Sequence, residues 1–159
     1  MANPMYGQNK ADNALNNVVL SRGYKKITAG LTLDGTEGGV IHIADTDACA
    51  IVLPTITKAL NGLEYKFIMA NDAGADITIT ATDAAGDYYQ GTIAVHSVDA
   101  DDGFAANGSS NNIITMNATT TTGGLLGSEV NIRAVYGIGW FAWGNVFGTD
   151  TTGATPFSG

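Results

Sequence analysis

Residues 63–82 read Leu63-Glu64-Tyr65-Lys66-Phe67-Ile68-Met69-Ala70-Asn71-Asp72-Ala73-Gly74-Ala75-Asp76-Ile77-Thr78-Ile79-Thr80-Ala81-Thr82. Leu63, Tyr65, Phe67 and Met69 alternate with Glu64, Lys66 and Ile68, and Ile77 and Ile79 alternate with Thr78, Thr80 and Thr82. A two-residue period places apolar side chains on one face of a strand. The Asn71-Asp72-Ala73-Gly74 break tolerates left-handed backbone, so the stretch predicts a β-hairpin.

Similar alternation extends in both directions. Ile27, Ala29, Leu31 and Leu33 form a first strand candidate, followed by a turn from Gly35 to Gly39 and by Ile41 and Ile43 flanking His42. Cys49, Ile51 and Leu53 share a face, in a run that stops at Pro54, which has no N–H for a ladder. Ile56 to Gly62 reads as a connector with one helical turn. Beyond the hairpin come Tyr89, Gly91, Ile93 and Val95; a loop from Asp99 to Asn112; Ile113 to Met116; a flexible Thr119 to Gly124 turn; and Val130, Ile132, Ala134 and Tyr136. Trp140 to Phe147 closes the series, apolar on both faces.

About nine short strands with Gly-rich breaks predict an all-β domain, an antiparallel β-sandwich or small barrel, with a jelly-roll arrangement among the options. No fixed-length repeat suggests a propeller or β-helix. The 21 glycines and 14% charged residues in 159 fit strands and turns, in a chain long enough for one core.

The ends differ from this body. Residues 1–22 are polar and Asn-rich, and Ala11, Leu15, Val18 and Val19 fall at helical spacing among poor helix formers. A helix so short is marginal alone, so the segment reads as an extended N-terminal arm that needs a surface. The division is therefore 1–22 arm, 23–148 β-sandwich and 149–159 flexible, solvent-facing tail.

Charge bounds the partners. Seven Lys and Arg against fifteen Asp and Glu give a net charge of -8. That balance disfavours nucleic acid and anionic membranes. The N-terminus has no basic start followed by an apolar core, and no run reaches the length of a membrane span, so the expectation is assembly in the cytoplasm.

Chemistry is sparse. Cys49 is the single cysteine and sits in an apolar run, which excludes an intrachain disulfide and points to a core residue. Asp99, Asp101 and Asp102 with Asp83 and Asp87 supply calcium-type ligands, but their spacing is not that of an EF-hand, and a solvated acidic loop is the expectation. His42 and His96 lie opposite their aliphatic neighbours and are expected to face solvent or a subunit partner. They form no metal set with Cys or Glu. No nucleophile elbow, phosphate loop or placed carboxylate pair occurs, so no catalytic residue, cofactor or metal is assigned. Trp140, Phe141, Trp143 and Phe147 are expected to form a core strand, with aromatic stacking on a sugar or a partner as the other reading.

Gly62 to Ala70, Ala75 to Thr80, Gly137 to Gly144 and the opening Met1 to Lys10 resemble tailed-bacteriophage virion structural proteins, specifically small capsid decoration or head proteins. The resemblance implies a β-sandwich on the outer capsid surface, assembled in the host cytoplasm. It further implies a homotrimer bound to the major capsid protein through its arm. The arm residues so implicated are Asn3, Pro4, Met5, Tyr6, Gly7, Gln8, Asn9, Lys10, Leu15, Val18 and Val19. An arm that folds on binding, repeated across a lattice, suits such a role through multivalency. The alternative is a head-fibre or tail-associated adhesin that binds a host receptor or glycan.

Overall fold

The computed structural model describes residues 23–82 and 86–159. Among them are twelve strands: β1 (Tyr24–Ile27), β2 (Leu31–Thr32), β3 (Ile41–Ala44), β4 (Cys49–Val52), β5 (Glu64–Met69), β6 (Ile77–Thr80), β7 (Tyr89–His96), β8 (Asp101–Ala105), β9 (Ile113–Met116), β10 (Glu129–Val135), β11 (Gly139–Phe147) and β12 (Phe157–Ser158). Two single-turn 3-10 helices cover Gly35–Glu37 and Lys58–Leu60, the latter in the connector expected to hold one turn.

The strands form two sheets, one of seven in the order β1-β3-β5-β10-β11-β7-β8 and one of five in the order β12-β9-β6-β4-β2. The all-β class is the one the alternation predicts, and of the sandwich and small barrel left open the two sheets correspond to the sandwich. The strand directions are mixed where antiparallel pairing was expected. β1, β3 and β5 are parallel, as are β2, β4 and β6, and β11 is parallel to β7.

The reason lies in the connections, because the first six strands alternate between the sheets. Residues 63–82 are therefore not a hairpin. β5 and β6 belong to opposite sheets, and the Asn71 to Gly74 break is the arch between them. Tyr65, Phe67 and Met69 on one side and Ile77 and Ile79 on the other are all buried in one core. Period two reveals which side chains share a face, but a hairpin and an arch bury the same residues. The arch is held by long-range bonds: Asn71 Nδ2 donates to Asp47 Oδ1 at 2.8 Å, and the Leu126 N–H donates to Asp72 Oδ1 at 2.7 Å.

The same alternation splits the first strand candidate, sending β1 and β2 to different sheets with a bend at Thr28 to Gly30. Three stacked coils result. No fixed period marks them because Tyr24, Ile41 and Lys66, which occupy one cross-strand row, are separated by loops of unequal length.

Two other segments differ from expectation. The Asp99 to Asn112 loop contains β8, which pairs with β7 from Thr92↔Ala105 to His96↔Asp101. The tail ends in β12, paired with β9, where Phe157 is buried with its ring 6.1 Å from that of Tyr89. A Thr- and Gly-rich approach looks flexible in sequence, but Phe157 supplies apolar area that anchors it.

The core fills the space between the sheets, with Trp140, Tyr65, Tyr89, Phe67 and Met69 among its largest members. Gly91 matters here. Its φ is 100°, and a Cβ would strike the carbonyl oxygen of Ala142 on the adjacent parallel strand. Glycine permits both the conformation and the close approach.

Candidate functional site

The outer face of the seven-stranded sheet carries a cluster of exposed aromatics. β11 alternates buried Trp140, Ala142 and Val146 with outward Phe141, Trp143 and Phe147, which are 37%, 41% and 39% exposed. The expected core strand is thus one face of β11, and the other face is partly exposed. Register places Trp143 opposite Asn131, Asn131 opposite Lys66, and Lys66 opposite Ile41. Phe141 lies opposite Arg133, and Arg133 opposite Glu64.

These neighbours hold one another. Arg133 forms an ion pair with Glu64 and lies over the Trp143 ring, 5.6 Å from its centroid. Lys66 Nζ meets Glu129 Oε2 at 2.7 Å, and Asn131 Nδ2 donates to Glu129 Oε1 at 2.8 Å. Lys66, followed by Asn131, holds the Glu129 carboxyl below its ordinary range. A cleft of about 160 Å³ opens within this network, lined by Ile41, Glu64, Lys66, Asn131 and Trp143 together with Gly39, Val40 and Tyr65.

His96 sits at one end of the same face. Its Nδ1 is 2.9 Å from Asp101 Oδ1, its Nε2 is 3.0 Å from Asn145 Oδ1, and its ring stacks on Phe147 at 5.3 Å. Bonds to Asn145 and then Asp101 favour the imidazolium and raise its pKa. His42 corrects the expectation of a solvent-facing residue. It is fully buried, 5.8 Å from the Tyr65 ring and 5.3 Å from that of Phe67, while Ile41 and Ile43 line the outer face. Alternation distinguishes two faces of β3 without saying which one the second sheet covers.

The acidic residues do not converge. Asp101 contacts His96, Asp102 Oδ2 accepts from the Gly153 N–H at 3.3 Å, and Asp87 Oδ2 accepts from the Ile56 N–H at 2.7 Å. Asp83 lies outside the described residues, and among those described no three His, Cys, Asp or Glu side chains are grouped to hold a metal ion. Cys49 is buried as expected, and burial pushes its thiol pKa up, away from the reactive thiolate.

The implicated arm residues Asn3, Pro4, Met5, Tyr6, Gly7, Gln8, Asn9, Lys10, Leu15, Val18 and Val19 lie outside the described residues. No family model, curated protein or solved structure matches this chain. The residues that sequence reading missed are Ile41, Glu64, Lys66, Asn131 and Arg133. In sequence they are ordinary outward positions of separate strands, and only the cross-strand register assembles them around Trp143.

Proposed function

We propose that this chain is a virion structural protein of the capsid-decoration class. In this reading it attaches to the major capsid protein through residues 1–22 and displays the β-sandwich outward, as a homotrimer on the outer capsid surface. The observation that carries the reading beyond the resemblance is where the body begins. Among the described residues β1 is an edge strand, the Gly23 carbonyl accepts from the Ile41 N–H at 3.1 Å, and a groove of about 180 Å³ runs along Lys25 to Leu31. A segment entering at the rim can engage a partner without disturbing the core.

The test removes Ala2 to Leu20 and compares co-sedimentation with capsids of the source virion, alongside thermal unfolding. The expected result is lost capsid binding with a nearly unchanged melting curve. Unaltered capsid affinity would overturn the arm assignment, and electron cryo-microscopy density confined to a tail or a single vertex would favour the adhesin alternative. That alternative draws its support from the cleft beside Trp143.

A further inference from the structure

We propose that the cleft beside Trp143 is a binding site for a single neutral pyranose, either a hexose or an N-acetylhexosamine. The inference stands independently of where, or whether, the chain attaches to a capsid.

A pyranose presents an apolar face of C–H groups and an edge of hydroxyls. Its site therefore needs a flat apolar wall beside fixed polar groups. The indole of Trp143 is 41% exposed although it lies over a well-packed sheet, and Ile41 provides a second apolar surface. Arg133 lies over the ring, 5.6 Å from its centroid, and is not among the residues lining the cleft, so it packs on the indole without filling the space a sugar would take.

The polar groups are also fixed. Glu64 Oε1 receives both the Nε and Nη2 contacts of Arg133, leaving Oε2 without a partner among the described residues. Asn131 donates through Nδ2 to Glu129, so its Oδ1 is likewise free to accept from a hydroxyl. Lys66 Nζ, held at 2.7 Å from Glu129, has further protons to donate. The cleft thus offers two acceptors and one donor beside an aromatic wall.

Size and charge narrow the ligand. At about 160 Å³ the cleft falls below the roughly 300–1,000 Å³ of sites that enclose drug-sized molecules, which suits one ring and not an extended chain. Glu64 and Glu129 balance Arg133 and Lys66, so the site is locally neutral within an acidic chain. Acidic sugars gain nothing there. A shallow site of this kind binds weakly and becomes effective through many displayed copies.

The chain contains two tryptophans, and Trp140 is buried, so a change in exposed-indole fluorescence reports on Trp143. The experiment titrates the full chain with methyl glycosides of glucose, galactose, mannose, N-acetylglucosamine and N-acetylgalactosamine. It follows emission together with protein-observed NMR shifts. At least one glycoside should give saturable shifts at Lys66, Asn131 and Trp143. Affinity should fall about tenfold or more in Asn131→Ala and in Trp143→Ala, the latter read by NMR, and should be unchanged in Phe147→Ala. Absence of saturable binding by all five, or binding that survives both cleft substitutions in variants that retain the wild-type melting curve, overturns the proposal. So does Trp143→Ala abolishing capsid attachment when no glycoside binds, because the face would then be a protein-docking surface.

Discussion

The imidazole of His42 packs 5.3 Å from the ring of Phe67 on the neighbouring parallel strand, and neither of its nitrogens meets a hydrogen-bond partner among the described residues. Burial lowers its pKa; Glu37 opposes this and Lys25 adds to it. The carbonyls of Val40 and Lys66 favour the charged form slightly without reaching hydrogen-bond geometry. The unfolded chain therefore binds the proton more readily than the native one. This contribution to stability is full above the unfolded value of about 6.5 and declines as pH falls below it. Melting temperatures across that range should decline less steeply in His42→Phe than in the wild type, and an identical acid limb would refute the assignment.

His96 should behave oppositely. Its pKa is raised, so its charged form stabilises the fold below the unfolded value, and the gain disappears as pH rises through the folded one. The chain has two histidines, which makes the comparison direct. In an NMR titration the His96 ring resonances should shift above the reference of about 6.5 and those of His42 below it. Asp101→Asn should move the His96 midpoint down while leaving that of His42 in place.

The two tryptophans of β11 should separate cleanly. Trp140→Ala empties a fully buried site and should cost about 3–5 kcal/mol in denaturant unfolding. Trp143→Ala should cost about 1 kcal/mol or less, since it loses partial burial and the Arg133 contact. Trp140→Phe should fall well below the Ala cost, because it keeps most of the buried ring while removing an Nε1–H that has no partner among the described residues.

Gly91→Ala should destabilise the domain by more than about 2 kcal/mol, through a positive φ and a collision with the Ala142 carbonyl. Gly103→Ala on the edge strand β8 has room for its methyl group and serves as the control. Equal melting temperatures for the two variants would contradict the close approach of β7 and β11.

Phe157→Ala tests whether the chain end is tied to the body. Removing a buried aromatic from β12 should cost roughly 3 kcal/mol, and amide exchange should accelerate at Thr115, whose N–H donates to the Pro156 carbonyl at 2.8 Å. A freely moving tail would show neither change.

How much was legible can be read at individual positions. Alternation put Leu63, Tyr65, Phe67 and Met69 on one face and Ile77 and Ile79 on another; all are buried except Leu63, which is partly buried against the core. Cys49, Ile51 and Leu53 shared a face as expected. His42 was assigned to the wrong side because its two isoleucine neighbours looked like the inward set. Phe157 was missed because one aromatic beyond a Thr- and Gly-rich run carries no period. The cleft was invisible for a different reason: Ile41, Lys66, Asn131 and Trp143 come from four strands, and nothing local links them.

The sequence alone determined that this chain is built of short strands, which side chains share a face, and that its net charge is -8, because these depend on backbone period and composition. Tertiary structure decided which sheet each strand joins, whether a break is a hairpin or an arch, and which face of β3 turns inward. It also decided that Glu64, Lys66 and Asn131 meet the Trp143 wall. Those outcomes depend on pairing between residues distant in the chain, and alternation with period two is compatible with several pairings until one core closes on all of them.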